Sequence, residues 1–436
     1  MSSKTFKGGI HPPYNKERSR YLSIENLEGS KEMIFPLSQH IGAPASPVVK
    51  VGDRVCTGQL IAAASGFVSA NIHSSVSGTI TAIKPCLHPN GAEVMSIVIE
   101  NDFKYEKDSS VTANSSSDML STEEILEIVR NAGIVGMGGA TFPTHVKLSP
   151  PADKKIEAVI VTGAECEPYL TSDHRVLLES PEGVLKGLKA CMKALNVTVG
   201  YVAIEDNKED AIKTVSETAK ALGGVTVVPL KTKYPQGSEK HIIKAVTGRE
   251  VPSGGLPADA GVVVINVDTA NSISTAIDTG MPLITRIVTV GGDAMKEARN
   301  FRVRIGTPVK DVIEAAGGFC AEPDKILLGG PMMGTAIAST EVPIIKGTGA
   351  VLAFTKKAAP TPGKCMRCGK CVDACPMHLQ PLLLRAYGKK GDLDMLKKLN
   401  ITDCIECGVC SYLCPGGQNP LQYIRVSKLK LKEAKK

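Results

Sequence analysis

The spacing of hydrophobic and polar positions changes along the chain and divides it into units of different kinds. The first hundred residues carry short apolar runs broken by glycine, proline and serine, which is typical of a small all-β domain. The predicted strands are 47–51, 59–64, 76–80 and 94–99. Residues 101–120 are polar and rich in serine, a composition that indicates a linker.

A regular alternation of strands and helices follows the linker. Ser121 and Glu124 form a capping box before a helix that carries Ile125, Ile128 and Val129 on one face. The later segments are predicted as strand 158–163, helix 181–195, strand 197–204, helix 209–222, strand 225–230, helix 239–247 and strand 262–267. This order predicts a Rossmann-like parallel α/β domain with helices on both faces of the sheet. Such sheets bind ligands at the carboxyl ends of their strands.

A small α+β unit comes next. Two strands, at 282–290 and 301–305, precede an amphipathic helix at 308–316 that ends at Gly317 and Gly318. This order predicts a small β-grasp (SLBB-like) unit.

Eight of the thirteen cysteines stand in two identical runs near the C-terminal end of the sequence. Each run has the form C-x2-C-x2-C-x3-C-P, which is typical of proteins that hold two [4Fe–4S] clusters. Three thiolates of one run bind one cluster, and the fourth, after the longer spacer, reaches the other cluster. The predicted ligand sets are therefore Cys365, Cys368, Cys371 and Cys414 for the first cluster, and Cys375, Cys404, Cys407 and Cys410 for the second.

Structural zinc is the alternative for these cysteines, because zinc also binds C-x2-C pairs. A zinc site needs four ligands around one tetrahedral ion and has no use for the C-x3-C-P ending. Between the runs, residues 379–387 and 393–399 look helical and are separated by a turn at 388–391. The cysteines are therefore predicted to lie in an α-helical two-cluster ferredoxin domain.

Composition limits the classes of partner. The net charge is only +7, tryptophan is absent and aromatic residues are scarce, so nucleic-acid stacking surfaces are excluded. No apolar run approaches the roughly 18–20 residues that a membrane-spanning helix needs, and we expect a cytoplasmic protein. Residues 425–436 hold six basic residues and one acid. They predict a solvated basic tail, with contact to an anionic membrane or an acidic partner as the alternative.

A glycine-rich motif begins directly after the first helix. Gly136, Gly138 and Gly139 let the backbone approach a ligand closely, and their N–H groups can bind a phosphate. Lys147 adds a compact positive charge. The motif follows a helix instead of a strand, so it differs from the usual dinucleotide fingerprint. A flexible turn between helices is the alternative interpretation.

The predicted N-terminal β domain resembles the biotinyl/lipoyl hammerhead fold. The resemblance rests on residues 51–60 and on Ser77-Gly-Thr-Ile80. A carrier domain of that fold presents a lysine for attachment of its cofactor, whereas residues 65–79 contain no lysine. We therefore expect a β-barrel scaffold without a tethered cofactor.

Three motifs together resemble the FMN- and NADH-binding subunit of respiratory complex I. They are the glycine motif with its Phe142 and Lys147, the segment Ala164-Glu-Cys-Glu-Pro168, and the segment Asn266-Val-Asp-Thr269. With the β domain before them and the two cysteine runs after them, the whole chain resembles the RnfC family of Rnf ferredoxin:NAD+ oxidoreductase subunits. The chain departs from the complex I pattern, which has an arginine, an asparagine and an aspartate, at Met137, Thr162 and Ala164.

The resemblance implies a non-covalent FMN and NAD(H) as the substrate. The residues implied in binding are Gly136, Gly138, Gly139 and Lys147 for the flavin phosphate and adjoining nucleotide, Asn266 and Thr269 for the flavin, Phe142 for the nicotinamide side, and Glu165 and Glu167 as acids beside both. These two acids would limit how tightly the anionic dinucleotide binds.

The resemblance also implies a function. Hydride would be exchanged between NAD(H) and FMN, and single electrons would pass through both clusters to partner subunits that move Na+ or H+ across the membrane. The implied partners are a ferredoxin-like iron–sulfur subunit and integral membrane subunits, with this chain placed peripherally on the cytoplasmic face. The alternatives are a non-catalytic iron–sulfur electron-transfer module, and a subunit of a complex that reduces a redox-sensing regulator.

The sequence thus predicts a multidomain α/β protein. The predicted parts are residues 1–100 for the N-terminal β domain, 101–120 for the linker, 121–280 for the FMN/NADH-binding α/β domain, 281–355 for the β-grasp unit, 360–424 for the ferredoxin domain and 425–436 for the basic tail.

Overall fold

The computed structural model describes residues 3–357 and 362–434. These residues form seventeen β-strands, several of them only two or three residues long. The strands are β1 Ile24–Asn26, β2 Glu32–Pro36, β3 Ser46–Pro47, β4 Arg54–Val55, β5 Leu60–Ala63, β6 Ile72–His73, β7 Gly78–Leu87, β8 Glu93–Asn101, β9 Ala158–Gly163, β10 Gly200–Glu205, β11 Val225–Leu230, β12 Val262–Asn266, β13 Thr285–Gly291, β14 Arg299–Arg304, β15 Lys325–Leu328, β16 Thr335–Ile337 and β17 Ala350–Phe354.

The same described residues form thirteen α-helices and two short 3₁₀ turns. The helices are α1 Thr122–Asn131, α2 Thr144–Lys147, α3 Ser172–Glu179, α4 Pro181–Ala194, α5 Glu209–Leu222, α6 Glu239–Thr247, α7 Val267–Thr279, α8 Val309–Ala315, α9 Lys370–Asp373, α10 Pro381–Lys390, α11 Leu393–Lys398, α12 Val409–Tyr412 and α13 Pro420–Glu433.

The N-terminal β unit is built from two small sheets. One sheet has the order β2-β8-β7-β4 and the other the order β3-β5-β6. Alternate residues of the strands, such as Met33, Phe35, Ile97 and Ile99, are fully buried between them. The strand predicted at 47–51 is wrong beyond residue 47, because a tight turn follows in which the Lys50 N–H donates to the Asp53 carboxylate.

The central α/β unit contains a sheet of four parallel strands in the order β11-β10-β9-β12. Helices α4, α5 and α7 bury apolar side chains on one face, and α6 covers the other face. The predicted Rossmann-like fold is therefore confirmed. Helices α3 and α7 were not predicted. α7 begins directly after β12, whereas α3 begins nine residues after the end of β9, and both border the candidate site.

The β-grasp unit is a six-stranded sheet in the order β1-β14-β13-β17-β15-β16. Helix α8 packs on it through Val309, Val312 and Ile313. Its edge strand β1 comes from the start of the chain and pairs in parallel with β14, so that Ile24 lies opposite Asn300. The sheet is therefore completed by a segment that sequence pattern alone assigned to the N-terminal β domain.

The C-terminal helices pack around a small apolar core of their own. The turn predicted at 388–391 is wrong, because α10 continues to Lys390 and ends at Gly391, whose backbone is left-handed. Gly388 lies inside the helix where α10 meets α13, since a Cβ atom there would lie 2.9 Å from the Ser427 hydroxyl. The predicted basic tail is helical where the structure describes it: α13 continues to Glu433 and buries Leu431, while Arg425, Lys430 and Lys432 are exposed to solvent.

The first twenty residues run across the other units. Lys4 forms a parallel bridge with Leu230 at the edge of the α/β sheet, and the Gly9 N–H donates to the Ala374 carbonyl in the cysteine region. Arg18 donates to the Gly292 carbonyl of the β-grasp unit. This segment therefore joins three parts of the molecule.

Candidate functional site

The two cysteine runs fold as repeats of one local structure. Each run turns through a glycine with a left-handed backbone, Gly369 with φ 79° and Gly408 with φ 78°, into a single helical turn, α9 or α12. The fourth sulfur of each run accepts an N–H bond from the residue four positions later. Leu379 N–H donates to Cys375 Sγ at 3.4 Å and Gln418 N–H to Cys414 Sγ at 3.3 Å. Such N–H···S bonds orient cysteine ligands and tune cluster potentials.

Electrostatic interactions connect thiols of the first cysteine run with thiols of the second. Burial raises the pKa of the Cys371 thiol, and the nearby thiols of Cys414, Cys365 and Cys368 raise it further. Burial raises the pKa of Cys407 to about 12, with contributions from Cys404, Cys410 and Cys375. Cys371 also adds to the burial-raised pKa of Cys410, so the two sets lie close to each other. Thiols from both runs therefore act on one another, and the two crossed ligand sets stay a prediction.

Within residues 3–357 and 362–434, no three His, Cys, Asp or Glu side chains are close enough together to hold one metal ion. The two sets differ in exposure. In the set formed by Cys365, Cys368, Cys371 and Cys414, the first two residues are exposed. In the other set, Cys375, Cys407 and Cys410 are buried. The first set is at the molecular surface and the second lies against the body of the protein.

The buried set is bound to the α/β unit by direct contacts. Tyr234 donates its hydroxyl proton to the Cys407 carbonyl at 2.8 Å. The ring of His241 donates to the Pro376 carbonyl at 3.0 Å, and burial lowers the pKa of this histidine to about 4, so it is neutral at pH 7. Cys166, which lies between the two predicted acids Glu165 and Glu167, packs in the same apolar cluster as Tyr234 and Cys407.

The glycine motif forms a short hairpin with an open tip. Val135 and Pro143 form an antiparallel bridge at its base, and the Gly136 N–H donates to the Phe142 carbonyl at 2.8 Å. Gly139 has φ 110° and no heavy atom within 4 Å of an added Cβ, so glycine is required there by backbone conformation and the space above it is free. The Phe142 side chain is half-buried beside the tip.

The hairpin rests on the start of helix α7. Met137 N–H donates to the Thr269 hydroxyl at 2.9 Å, and an added Cβ at Gly138 would lie 3.7 Å from the Asn266 Cβ. Asn266 caps α7 by accepting from the Asp268 and Thr269 N–H groups. The structure thus brings the predicted residues Gly138, Asn266 and Thr269 together. Their assembly depends on α7, which begins at the carboxyl end of β12.

Lys147 lies in the short helix after the hairpin and is already paired. Its ammonium forms an ion pair with Glu239 and donates to the Val264 carbonyl at 3.1 Å. The side chain is about three-quarters buried. A phosphate at this position would share the lysine with the Glu239 carboxylate.

Three buried acids lie at the carboxyl ends of the strands. Asp173 accepts from the Asn266 amide at 2.8 Å, and its own N–H donates to Glu165 at 2.9 Å. Burial raises the pKa of Asp173 to about 7, and the neighbouring carboxylates of Glu165 and Asp268 add to the rise. The second carboxylate oxygen of Glu165 is buried, lies 3.8 Å from the Lys16 ammonium and accepts no hydrogen bond from any described residue. Asp173 was not predicted, because only its polar position at the start of α3 could have indicated it.

Glu167 has a different set of contacts. Its carboxylate accepts from the N–H groups of Met332 at 3.0 Å and Met333 at 2.9 Å, in the turn that follows β15. Burial raises its pKa to about 7. The same turn approaches the cysteine region, since an added Cβ at Gly408 would lie 3.4 Å from the Met332 carbonyl oxygen. Glu167 therefore fixes a turn that lies between the α/β unit and the buried cysteine set.

A second residue missed by sequence reasoning is Arg286. It forms a buried ion pair with Asp268, and its guanidinium also donates to the Met137 carbonyl at 3.2 Å. Because it comes from β13 of the β-grasp unit, it fixes the hairpin from behind. The only signal for it in the sequence was a charged residue inside a predicted strand that is otherwise apolar.

Family models match four successive parts of the chain. Residues 4–104 match the RnfC barrel sandwich hybrid domain, 129–275 the Nuo51 FMN-binding domain, 287–336 the SLBB domain and 364–418 the 4Fe–4S dicluster domain. The fold class predicted from the sequence agrees with these matches. In the part of the chain that the structure describes, no helix is both long enough and apolar enough to cross a membrane.

Solved structures with a related fold include the NAD+-reducing [NiFe]-hydrogenase in its air-oxidized state. The two align with a TM-score of 0.53 at 18% identity, over 72% of this chain and 64% of that one. At this identity the likeness shows the fold alone.

Curated relatives cover nearly the whole chain. The C subunit of the Na+-translocating ferredoxin:NAD+ oxidoreductase complex of Acetobacterium woodii is 48% identical over 97% of this chain and 96% of its own length. The C subunit of the proton-translocating complex of Clostridium ljungdahlii is 49% identical over 98% and 93%. The C subunit of the ion-translocating oxidoreductase complex of Rhodobacter capsulatus is 44% identical over 92% and 78%. The chain therefore belongs to the RnfC family, the C subunits of ion-translocating ferredoxin:NAD+ oxidoreductase complexes.

Proposed function

We propose that this chain carries electrons between NAD(H) and the other subunits of an Rnf-type complex, using one non-covalent FMN and two [4Fe–4S] clusters. Partner subunits, among them a ferredoxin-like iron–sulfur subunit and integral membrane subunits, couple this transfer to Na+ or H+ movement. The chain itself lies peripherally on the cytoplasmic face of the membrane. The observation that carries the proposal is the contact between the buried cysteine set and the α/β unit that holds the glycine hairpin.

The eight cysteines suit the two clusters. Cys365, Cys368, Cys371 and Cys414 would hold one, and Cys375, Cys404, Cys407 and Cys410 the other. The N–H donors to Cys375 and Cys414 would stabilise thiolate charge in both. Clusters of this kind supply one-electron chemistry. The exposure of Cys365 and Cys368 favours partner contact at the first set, whereas burial of the second favours exchange with the nucleotide side.

The hairpin suits the phosphate of FMN. Gly136, Gly138 and Gly139 give it an open tip, and Lys147 lies at the end of the motif. Asn266 and Thr269 would contact the flavin, and Phe142 would line the nicotinamide side. When bound, FMN would supply the ability to take two electrons together and to release them singly.

The acids at the strand ends place negative charge near the nucleotide site and orient the groups that they contact. Asp173 accepts a hydrogen bond from the Asn266 amide and thereby holds the orientation of the Asn266 side chain. Glu165 is buried and forms an ion pair with Lys16 at 3.8 Å, so it repels a second anion less than a free carboxylate would. Glu167 orders the turn at Met332. Together they would weaken binding of the anionic dinucleotide, which supports rapid exchange of NAD+ and NADH.

The decisive experiment measures iron, sulfide and flavin on anaerobically purified protein, with visible spectra before and after NADH. We expect about eight irons and one FMN per chain, and bleaching of the cluster absorption by NADH. Lys147→Ala should lower flavin content while iron stays constant. Lys154→Ala, at an exposed lysine paired with Asp259, is the matched control. Full iron without flavin and without bleaching would contradict the proposal.

A second candidate function is a non-catalytic electron-transfer module. The ion pair between Lys147 and Glu239 favours it, because the lysine already has a carboxylate partner. The departures at Met137 and Ala164 point the same way. This candidate predicts eight irons and no flavin, and Lys147→Ala would then leave every measured quantity unchanged.

A further inference from the structure

Two cavities lie away from the residues assigned to cofactors. The larger, about 470 Å³, is bordered by the carboxylate-bearing face of α1, including Glu124 and Glu127. The smaller, about 330 Å³, lies where α7, the β-grasp sheet and the N-terminal β unit meet. No cysteine and no glycine of the hairpin lines either of them. The smaller cavity has the chemistry of a binding site.

Positive charge dominates the smaller cavity. Its lining holds three cationic side chains, Lys107, Arg302 and Arg304, and one carboxylate, Asp268. Asp268 is already neutralised by its buried ion pair with Arg286. Lys107 and Arg302 have no ion-pair partner anywhere in residues 3–357 and 362–434.

Arg304 is held in place inside the lining. Its guanidinium lies 4.0 Å above the Tyr105 ring and donates to the Ser75 carbonyl. Burial lowers its pKa, although Tyr105 and the nearby Glu28 act in the opposite direction. The guanidinium therefore keeps its charge in a fixed position and in a half-buried setting, where an anion would be attracted more strongly than at the open surface.

A buried hydroxyl in the same lining lacks a partner. Thr57 is only 4% exposed, and its Oγ1 makes no hydrogen bond with any described residue. A buried hydroxyl left without a partner costs free energy. The hydroxyls of Ser272, Thr275 and Thr285 line the same space.

The other wall of the cavity is apolar. It is formed by Met281, Pro282, Leu283, Ile284 and Ile287. A bare inorganic ion would leave this wall without a partner, whereas an organic group joined to the anion would pack on it. The cavity therefore combines a site for a charged group with a surface for a carbon skeleton.

We propose that this cavity binds a small phosphorylated organic molecule. Arginine forks match phosphate oxygens in paired hydrogen bonds, and threonine and serine hydroxyls donate to the same oxygens. Arg302, Arg304 and Lys107 bind the phosphate, and the apolar wall holds the organic part. None of the residues assigned to the flavin and nucleotide lines this cavity, although Asp268 connects it to the hairpin through Arg286.

The test is calorimetric titration of the full chain, with clusters intact, in phosphate-free buffer. The probe is ribose 5-phosphate, with ribose and inorganic phosphate as comparison ligands. FMN is kept at saturation, because Asp268 is linked through Arg286 to the hairpin carbonyl of Met137. We expect one site for ribose 5-phosphate, weaker binding of inorganic phosphate and no binding of ribose.

Two variants locate the site. Arg302→Gln should weaken ribose 5-phosphate binding by about tenfold, because a charge-assisted contact is lost. Arg299→Gln removes the same charge from the same strand, where the side chain pairs with Glu25 and Glu297 outside the cavity, and should leave binding unchanged.

Equal binding by the Arg302→Gln and Arg299→Gln proteins would overturn the proposal, as would failure of the wild-type chain to bind ribose 5-phosphate. Binding of ribose as tightly as its phosphate would do so too. Flavin content is measured in each protein, so a failure of the cavity is distinguished from a failure of the proposed electron-transfer function.

Discussion

Single buried charges determine how several parts of this molecule meet. Lys346 is fully buried, and its ammonium donates to the Asn71 carbonyl at 2.5 Å and to the Gly133 carbonyl at 2.7 Å. These carbonyls belong to the N-terminal β unit and to the end of α1. One lysine thus connects two units, at the cost of removing a charge from water.

Lys346 should make stability depend on pH. Burial lowers its pKa to about 7, whereas the unfolded chain has its ordinary value near 10.5. Between these values the unfolded state binds more protons, so stability should rise as the pH increases from about 7 towards 10.5. The melting temperature of wild type relative to Lys346→Met, measured from pH 7 to 9, should increase with pH. A constant difference would show that the buried amine does not titrate in this range.

Asp173 should make flavin affinity depend on pH. With a pKa of about 7 it gains negative charge as the pH passes through neutrality, and this charge lies beside the predicted flavin residue Asn266. FMN should therefore bind more weakly at pH 8 than at pH 6, measured by quenching of flavin fluorescence. Asp173→Asn should flatten this dependence. The titration of FMN itself is common to both proteins, so identical profiles would contradict the assignment.

At the scale of elements, the close contact between α4 and α7 predicts the effect of two glycine substitutions and explains why α7 was not predicted from the sequence. In α4, an added Cβ at Gly187 would lie 1.8 Å from the Ala270 carbonyl oxygen of α7, so the two backbones touch. Gly187→Ala should lower stability by about 1–3 kcal/mol. Gly183→Ala meets only the end of the Asn271 side chain and should change stability by less than about 1 kcal/mol. Thermal unfolding of both variants tests this, and equal losses would contradict it.

The same contact explains why the hydrophobic pattern of the sequence did not predict α7. This helix buries small and polar residues such as Ser274 and Ala276 beside Ile273 and Ile277, and the backbone of α4 leaves no room for a larger side chain at Ala270. Its apolar stripe is therefore weak, although the Asn266 cap was a usable signal. By contrast, α5 repeats buried apolar residues every four positions, at Ala211, Val215 and Ala219, and the predicted bounds 209–222 and 239–247 agree with the structure.

The candidate site was predictable only as far as its motifs are local. Glycines at Gly136, Gly138 and Gly139 indicated a loop that approaches a ligand, and the cysteine spacing indicated the crossed sets. Asp173 and Arg286 were not predictable, because each reaches the site from an element distant in sequence. Their contribution follows from tertiary packing, which local periodicity does not encode.

At the scale of the whole molecule, the different exposure of the two cysteine sets predicts different effects of ligand loss. Cys375→Ser removes a ligand of the buried set, which borders the α/β unit, whereas Cys414→Ser removes a ligand of the exposed set. Each variant should lose one cluster by iron analysis and electron paramagnetic resonance. NADH should still bleach the remaining cluster in the Cys414→Ser protein, by about half of the wild-type signal.

In the Cys375→Ser protein, NADH should bleach little, because the remaining exposed set is separated from the α/β unit by the lost one. Dithionite, which needs no nucleotide site, serves as the control and should reduce the remaining cluster in both proteins. Equal bleaching by NADH in both variants would contradict the predicted difference between the sets.

The pairing of β1 with β14 has a consequence for biosynthesis. Ile24 lies opposite Asn300, so β1 is synthesised 276 residues before its partner and must wait for β14 to leave the ribosome. At roughly 5–20 residues per second, this interval is on the order of tens of seconds. During that time the nascent N-terminal segment has neither its β-sheet partner nor the cysteine region that Gly9 contacts. Chaperones and proteases therefore meet this segment before the rest of the protein can cover it.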